Sequence, residues 1–329
     1  MISLERAVAG PRRLSAEDLE TMLACEEASF QEELFAAARD VKARCGKTSV
    51  LPRGLVECSN VCAKDCLYCG IRKGNAALPR YRIPEEEVLA CCDEARRRGY
   101  PAVAFQAGEI ESEANTAYYE RLLAKCRDLE VTLSLGEQEE RVYRRWKEAG
   151  ALRYLIRLET SRRDLYARIH PATCSFDRRL NCIRTLKRVG FVTGSGVMIG
   201  LPGQTLGDLA RDIVFYGEED LDMVGMGPYV PTPGTPLADA GAAVRPGDLA
   251  LACRMIALTR LYLHDVNIVA ATALEALDPA GGRSRGLDAG ANVMMPNLTP
   301  PQYGNSYRLY PGKAPAPGGA AARACGDRP

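Results

Sequence analysis

Three cysteines stand in a CxxxCxxC pattern, at Cys62, Cys66 and Cys69, directly after the first apolar run of β type. Structural zinc sites prefer four protein ligands arranged as two CxxC pairs, and no second pair follows at a suitable distance. Three thiolates in one tight loop instead suit three corners of a [4Fe–4S] cube and leave one iron without a protein ligand. The pattern therefore predicts an iron–sulfur cluster whose open iron can chelate a small molecule.

The chain has 13 cysteines in all, and those outside this pattern are expected to be ordinary thiols. A disulfide framework fits badly, because the count is odd, the chain is long and the expected compartment is reducing. Free cysteine is among the most buried residue types, so most of these side chains are interpreted as small buried hydrophobes.

The cysteine loop must be positioned by the elements around it, and the sequence alternates apolar runs of β type with amphipathic helical stretches. The apolar runs are residues 54–61, 102–107, 131–135, 152–158, 191–199, 221–227, 267–272 and 291–295. Glycines such as Gly99, Gly150 and Gly190 end the helical stretches, as C-caps do. Alternation repeated about eight times predicts an α/β fold, a closed (β/α)8 TIM barrel, with an open doubly wound sheet as the alternative. In a barrel, chemistry is expected at the C-terminal strand ends.

The barrel is predicted over residues 48–312, after a helical extension at 1–47 and before an Ala-, Gly- and Pro-rich tail at 313–329 that is expected to be disordered. The composition, 47% hydrophobic and 26% charged, is typical of a folded protein. The formal charge of +1 gives no global field to recruit nucleic acid or an anionic membrane. Neither a spanning apolar run nor a signal-peptide core is found, so a cytoplasmic protein is expected.

Beyond the cysteine pattern, the sequence resembles the radical S-adenosylmethionine (SAM) superfamily, in which an aromatic residue commonly sits where Tyr68 stands. A longer series of motifs, spread over roughly residues 15–313, is similar to the HydE family of FeFe-hydrogenase maturases. The motifs are residues 57–62, 69–72, 80–82, 106–109, 132–137, 179–182, 200–205, 222–225, 292–297 and 307–313. Together these motifs are far more specific than the cysteine pattern alone. Biotin synthase and methylornithine synthase are relatives by architecture.

The resemblance implies that the three cysteines ligate one [4Fe–4S] cluster and that its open iron binds SAM. Glu109, in the Gly-Glu pair after the second strand, would accept hydrogen bonds from the methionine ammonium. Glu159, at the end of the fourth strand, would accept from the ribose hydroxyls, and Arg179 would pair with the methionine carboxylate. Surface or capping roles for these charged side chains are the alternatives.

Other residues are implied near the cofactor on weaker grounds. Met198 would lie by the adenine, and Tyr303 with Tyr307 would cover the cofactor, although a core methionine and packing tyrosines give the same pattern. His170 and His264 lie away from the predicted strand ends and are not expected to be ligands.

For the substrate, the resemblance implies a small, cysteine-bound iron carbonyl–cyanide precursor of the hydrogenase H-cluster, held by Arg153, Arg157 and Thr272. The sequence departs from the family at two positions expected to face the barrel cavity. Leu158 stands where the family commonly has His, and Ala271 stands where it has one of two threonines. The loss of two polar groups would weaken the binding of an anionic ligand.

Together these inferences predict a radical SAM enzyme that cleaves SAM reductively to a 5′-deoxyadenosyl radical for H-cluster assembly, inside a barrel that excludes water. Its partners would be a low-potential electron donor and other hydrogenase maturases. No second cluster is expected, because Cys325 stands alone where some family members carry three cysteines. Two alternatives stay open: a HydE-like or methylornithine-synthase-like enzyme with a small organic substrate, and a non-catalytic iron–sulfur carrier or scaffold. SAM-site residues at three separate strand ends argue against the carrier.

Overall fold

The computed structural model describes residues 4–240 and 249–313. Its strands are β1 (Leu51–Ser59), β2 (Ala102–Ala107), β3 (Glu130–Ser134), β4 (Ala151–Leu155), β5 (Val192–Ser195), β6 (Met198–Ile199), β7 (Met223–Val224), β8 (Gly227–Pro228), β9 (Asn267–Ile268) and β10 (Val293–Met294). Its helices are α1 (Leu4–Ala9), α2 (Ala16–Ala24), α3 (Ala28–Arg44), α4 (Glu85–Arg97), α5 (Glu113–Lys125), α6 (Glu140–Ala149), α7 (Arg163–Ile169), α8 (Phe176–Val189), α9 (Leu206–Glu218), α10 (Pro236–Asp239), α11 (Leu249–Leu263), α12 (Thr272–Leu277), α13 (Gly282–Asp288) and α14 (Pro301–Gly304).

Eight of the strands form one parallel sheet in the order β10-β1-β2-β3-β4-β5-β7-β9. Backbone hydrogen bonds from Asn292 N to Ile268 O (3.0 Å) and from Ala270 N to Val293 O (2.9 Å) join the two end strands. The sheet is therefore closed, and the predicted α/β barrel is confirmed over the open-sheet alternative. The short strands β6 and β8 pair with each other beyond β5 and β7. Each predicted apolar run overlaps one barrel strand.

The first strand shows how the sequence builds both layers of the barrel. Side chains alternate across a strand, so Arg53, Leu55 and Glu57 line the internal cavity. Val56 and Cys58 point to the opposite face of the strand and pack in the hydrophobic core formed with the surrounding helices. A strand buried on both faces reads as a nearly continuous apolar run, which is why periodicity alone located it.

The N-terminal helices pack on the outside of the barrel, α2 against α9 and α3 against α11. Ser15 begins α2 with a capping box, in which its side chain accepts from Asp18 N and the Asp18 carboxylate accepts from Ser15 N. The predicted extension is thus helical where it is described, and the domain bounds remain predictions. Of the predicted tail at 313–329, all but Lys313 lies outside the described residues. No helix in the described part of the chain is long and apolar enough to cross a membrane.

After α14 the chain crosses the mouth of the barrel as residues 305–313, here called the C-terminal strap. Gly70, next to the last predicted cluster cysteine, donates its N–H to Leu309 O at 3.0 Å. A Cβ on Gly70 would lie 1.9 Å from Arg308 O, so only glycine allows the strap to approach this closely. The strap therefore fixes the cysteine loop from outside the barrel.

Inside the mouth, the strap contacts the barrel wall through two further side chains. The Lys313 ammonium donates to the carboxylate of Glu57, and the hydroxyls of Tyr310 and Thr272 are hydrogen bonded to each other. Burial raises the pKa of Glu57, against the lowering effect of Lys313. These contacts close the space in which a ligand can lie.

Candidate active site

The C-terminal ends of the strands, together with the strap, enclose a cavity of about 320 Å3. The cavity-lining residues include most of the side chains that the sequence predicts for the cofactor and substrate: Cys62, Cys66, Tyr68, Cys69, Glu109, Arg157, Glu159, Arg179, Met198 and Thr272. Tyr303 and Arg153 do not line the cavity. The predicted residues thus converge from six parts of the sequence on one site.

The three cysteines of the CxxxCxxC loop are free thiols, partly exposed to this cavity. Burial raises the pKa of the Cys62 thiol, and it raises the pKa of Cys69 to about 12. A thiol binds a metal as the thiolate, so the positive charge of bound iron has to offset this burial. Glu109 N donates to Cys62 Sγ at 3.3 Å, which joins the loop to the end of β2.

Gly108 makes this junction possible. A Cβ at this position would lie 2.3 Å from Val61 O and 2.7 Å from the Cβ of Cys62. Real side chains do not approach that closely, so the Gly-Glu pair needs its glycine for the loop to pass and its glutamate for charge.

Four charged side chains form a network beside the cysteine loop. Lys64 Nζ lies 3.0 Å from both Glu109 Oε1 and Glu137 Oε2. On the other side, Arg179 Nη1 lies 3.3 Å from Glu109 Oε2, and Arg179 Nε lies 3.0 Å from Glu137 Oε1. Glu109, Glu137 and Arg179 are buried. Buried charges persist when each has an opposite partner, and here every member has at least two.

Lys64 and Glu137 are the members of this network that the sequence analysis missed. Lys64 stands inside the CxxxCxxC loop, and Glu137 follows the end of β3. The rule that barrel chemistry lies at C-terminal strand ends would have identified Glu137. No sequence signal distinguishes Lys64 from an exposed loop lysine.

The three charged groups predicted to bind SAM keep unused hydrogen-bonding capacity. Glu109 Oε1, Glu159 Oε2 and Arg179 Nε are buried and, among the described residues, make no hydrogen bond of acceptable geometry, although charged partners lie nearby. Buried polar atoms without partners are rare and need an explanation. Two carboxylate acceptors and one guanidinium donor match a ligand that carries an ammonium, hydroxyls and a carboxylate. SAM carries all three, and the residues present therefore fit it.

Gly136, at the end of β3, sets the direction of Glu109. Its φ is +76°, a left-handed conformation that favours glycine. A Cβ here would lie 2.1 Å from Glu109 Oε2 and 2.4 Å from the carboxyl carbon. The carboxylate of Glu109 occupies the space that any other residue at position 136 would fill.

Glu159 has an unusual backbone, with φ at +74°. Its Oε1 lies 3.5 Å from Tyr68 Oη and its Oε2 lies 2.9 Å from Arg157 Nη2, while burial raises its pKa. A non-glycine residue in this region costs about 1–3 kcal/mol and persists where its surroundings hold it, often at functional sites.

Asp212, on α9, holds the chain just beyond Glu159. Its Oδ1 accepts two hydrogen bonds from Ser161, from N and from Oγ, both at 2.6 Å. The side chain is fully buried, and burial, against the effect of the Ser161 bonds, raises its pKa to about 7.

Asp212 is expected to make stability fall as the pH rises. The folded state keeps a proton on Asp212 up to about pH 7, whereas the unfolded chain releases it near pH 4, so the folded state binds more protons in between. We expect the free energy of unfolding of Asp212→Asn, relative to wild type, to rise by about 2–3 kcal/mol from pH 5 to pH 8. Urea titrations of both proteins at the two pH values measure this, and a difference that does not change with pH contradicts it.

His170 lies closer to the site than its sequence context indicates. Its Nε2 is 3.4 Å from Tyr68 Oη, its Nδ1 is 2.9 Å from Tyr166 O, and its ring stacks on Tyr166 at 3.9 Å between centroids. Burial lowers its pKa to about 4. His170 supports Tyr68 from behind and does not line the cavity.

The structure corrects the expectation for Tyr303. Its hydroxyl donates to Glu87 Oε1 at 2.8 Å, and its ring lies 5.2 Å from that of Tyr81. Because α14 lies against α4 in the outer layer, Tyr303 faces the helices. Tyr307, buried four residues later in the strap, lines the cavity instead.

Arg153 lies on β4 below the cavity and pairs with Glu130 at 2.6 Å. The arginine that lines this end of the cavity is Arg53, a buried residue whose Nη1 lies 3.1 Å from Met223 Sδ. Burial, reinforced by the like charge of Arg153, lowers the pKa of Arg53 to about 10.

Leu158 also lies elsewhere than expected. Its side chain is fully buried in the hydrophobic core and does not line the cavity, because side chains alternate and those of Arg157 and Glu159 point inward. Ala271 does line the cavity, at the N-cap position of α12. The family departure at 158 therefore removes no group from the ligand site.

The core position of Leu158 leads to a prediction about stability. Leu158→His buries an imidazole in an apolar core, so we expect the free energy of unfolding to fall by about 1–3 kcal/mol. Ala271→Thr supplies a capping hydroxyl to α12 and is expected to be neutral or stabilising. Chemical denaturation of the two single variants measures both effects, and an unchanged Leu158→His would refute the core placement.

Comparisons with known proteins agree with this geometry. The profile of the radical SAM superfamily matches residues 56–215. The [FeFe] hydrogenase maturase subunit HydE of Thermotoga maritima is 44% identical over 308 residues, which cover 92% of this chain and 85% of that protein. The 3-methylornithine synthase of Methanosarcina barkeri is 26% identical over 88% of this chain and 81% of its own length.

Solved structures share the fold. A methylornithine synthase crystal structure superposes with a TM-score of 0.79 at 24% identity and covers 99% of this chain and 92% of its own. The FeFe-hydrogenase maturase HydG from Carboxydothermus hydrogenoformans superposes with a TM-score of 0.76 at 21% identity, over 89% of this chain and 70% of its own. The chain has the cysteine loop and the closed barrel, and it is 44% identical to HydE over 92% of its length. It therefore belongs to the HydE family of radical SAM proteins.

Proposed function

We propose that this chain is a radical SAM enzyme of the HydE type, which cleaves SAM reductively and uses the radical in building the FeFe-hydrogenase cofactor. The observation that carries the proposal is the convergence of three free thiols with buried Glu109, Glu159 and Arg179 on one closed cavity. The overall identity to HydE supports the choice of reaction within the superfamily.

Cys62, Cys66 and Cys69 would hold a [4Fe–4S] cluster through three irons and leave the fourth open for SAM. When bound and reduced, the cluster supplies one electron that splits SAM into methionine and a 5′-deoxyadenosyl radical. The closed barrel and the strap would limit the access of water and other hydrogen donors to the cavity. A low-potential electron donor and other hydrogenase maturases would be its protein partners.

The charged network is suited to exchange partners with the methionine part of SAM. The ligand's ammonium would turn toward Glu109 and its carboxylate toward Arg179, which opens the 3.3 Å contact between these two residues. Glu109 keeps Lys64, and Arg179 keeps Glu137, so no buried charge is left unpaired. Glu137 and Lys64 would act as positioning residues for this exchange.

Glu159 would accept hydrogen bonds from the ribose hydroxyls, with Tyr68 beside it, and Met198 would pack near the adenine. Deeper in the cavity, Arg157 and Thr272 would hold the substrate, a cysteine-bound iron carbonyl–cyanide complex. Anionic cyanide groups suit the Arg157 guanidinium, and a carboxylate suits it equally well.

The proposal is tested by replacement in hydrogenase maturation. The anaerobically reconstituted protein, reduced by dithionite, is expected to release 5′-deoxyadenosine from SAM and to substitute for authentic HydE in an in vitro maturation mixture. If the protein releases deoxyadenosine but does not support maturation, the alternative of a small organic substrate is favoured. The methyl group of Ala271 in the cavity wall supports that alternative. Absence of deoxyadenosine would favour an iron–sulfur carrier.

Glu159→Ala is expected to weaken SAM binding by about 1.5–3 kcal/mol, or roughly 10- to 150-fold, because it removes charged hydrogen bonds from a dry site. Glu111→Ala is the matched control, since Glu111 is partly exposed and pairs with Arg178 at 2.7 Å. Calorimetric titration of the reconstituted variants with SAM measures both affinities. Equal affinities for the two variants would remove Glu159 from the site.

A further inference from the structure

Three exposed cations lie beside the cysteine loop without a carboxylate partner. They are Lys73, Arg80 and Arg308, here called the basic patch, and none of them forms an ion pair with another described residue. Arginines on the outer helices differ, since Arg121 pairs with Glu85 at 2.6 Å. The patch is a local feature, because the whole chain has a formal charge of only +1.

Hydrogen bonds tie the first two cations to the chain that follows Cys69. Arg80 donates to Ile71 O at 2.8 Å and to Arg72 O at 2.5 Å, directly before Lys73. These acceptors are neutral carbonyls, so the guanidinium holds the loop while its charge stays uncompensated.

Arg308 reaches the same surface through the C-terminal strap. The next residue, Leu309, accepts the N–H of Gly70 at 3.0 Å, so Arg308 lies over the residue that follows Cys69. Its guanidinium donates to Asn305 O at 2.8 Å, again a neutral partner.

The patch lies next to a predicted cluster ligand and keeps its positive charge. Arg72 N donates to Cys69 O at 3.1 Å, so one backbone hydrogen bond joins this segment to the cysteine. The carboxylate within the loop, Asp65, does not cancel the patch, because Arg72 pairs with it at 2.7 Å. Electron transfer slows steeply with distance, so a surface this close to the cysteines suits an electron donor.

We propose that the basic patch is the docking surface for an acidic one-electron carrier protein, an inference that rests on the proposed radical SAM function. The reduced carrier gives one electron to the oxidised [4Fe–4S]2+ cluster, which becomes [4Fe–4S]+, and the carrier is oxidised by one electron. Opposite charges speed the encounter of two proteins and orient them. Electron-transfer complexes use small, transient interfaces, so a few cations are enough to steer one.

The test uses a plant-type [2Fe–2S] ferredoxin, an acidic low-potential carrier, and the full-length reconstituted protein. Lys73→Glu/Arg308→Glu reverses the two cations whose side chains do not bond to the cysteine loop, and Arg80 stays to hold it. Anaerobic stopped-flow absorption measures the second-order rate constant for reduction of the cluster by ferredoxin. At low salt we expect the double variant to lower this constant by about tenfold or more. The difference should shrink as salt screens the charges.

Arg127→Glu is the matched control. Arg127 is also exposed and has no ion pair with a described residue, but it precedes β3 and so lies at the opposite, N-terminal end of the barrel strands. We expect it to react with ferredoxin as the wild type does. The same loss of rate in Arg127→Glu, or no loss in the double variant, would overturn the proposal.

Two further measurements separate docking from the proposed reaction. Calorimetric titration with oxidised ferredoxin measures binding without any turnover, and we expect weaker binding by the double variant alone. Dithionite needs no docking surface, so an equal loss of dithionite-driven deoxyadenosine formation in the double variant would show damage to the cluster site and would overturn the patch. Absence of deoxyadenosine from the wild type would contradict the proposed function itself and leave the binding result standing.

Discussion

Cys66→Ala is expected to remove the iron–sulfur cluster, lowering iron after anaerobic reconstitution from about four atoms per chain to near zero. The cluster would have three protein ligands, and the carboxylate within the CxxxCxxC loop, Asp65, is already held by Arg72 at 2.7 Å and by Gly74 N at 2.8 Å. Two thiolates hold a cube too weakly to survive desalting. Iron and sulfide analysis, with the visible absorption of the cluster, measures the loss.

Cys174→Ala is the matched control for this experiment. Cys174 is a partly exposed free thiol whose side chain hydrogen bonds to that of Cys66, so it is a nearby cysteine outside the loop. We expect Cys174→Ala to retain the full cluster. A complete cluster in Cys66→Ala, or its loss from Cys174→Ala alone, would show that the ligands are assigned wrongly.

Gly136→Ala is expected to abolish measurable SAM binding while leaving the cluster in place. The added methyl group would lie 2.1 Å from Glu109 Oε2, so the carboxylate must leave its position. Lys64 and Arg179 are held by that carboxylate and would reorient with it. The loss of two charged contacts costs about 3–6 kcal/mol, a fall in affinity of roughly 150- to 25,000-fold.

Gly190→Ala separates this effect from the cost of backbone strain. Gly190 ends α8 with φ at +90°, and a Cβ there would have no atom within 4 Å. Both substitutions therefore carry a left-handed penalty of roughly 1–2 kcal/mol, but only Gly136→Ala displaces Glu109. SAM titrations of the two reconstituted variants compare them directly. If Gly136→Ala binds SAM as well as Gly190→Ala does, Glu109 is not a ligand of the methionine group.

Periodicity and spacing predicted the barrel and the cysteine loop, whereas most of the other candidate site residues came from the resemblance to the HydE family. The apolar runs located all eight barrel strands because strands buried on both faces need apolar residues throughout. The position of Glu109 and Glu159 at strand ends then predicted that both would reach one cavity, because parallel strands bring their C-terminal ends to one edge. Both carboxylates line that cavity.

The sequence by itself determined the cysteine loop, the barrel and the strand-end carboxylates, since these depend on spacing within one segment. Tertiary structure alone decided which side chains complete the site. Tyr307 rather than Tyr303 reaches the cavity, because Tyr303 lies in α14 and Tyr307 lies in the strap. Leu158 turns into the core, because side chains alternate along an extended segment. The charged network around Glu137 and the basic patch join residues from separate segments of the chain. Such pairings arise from packing, which local sequence patterns do not encode.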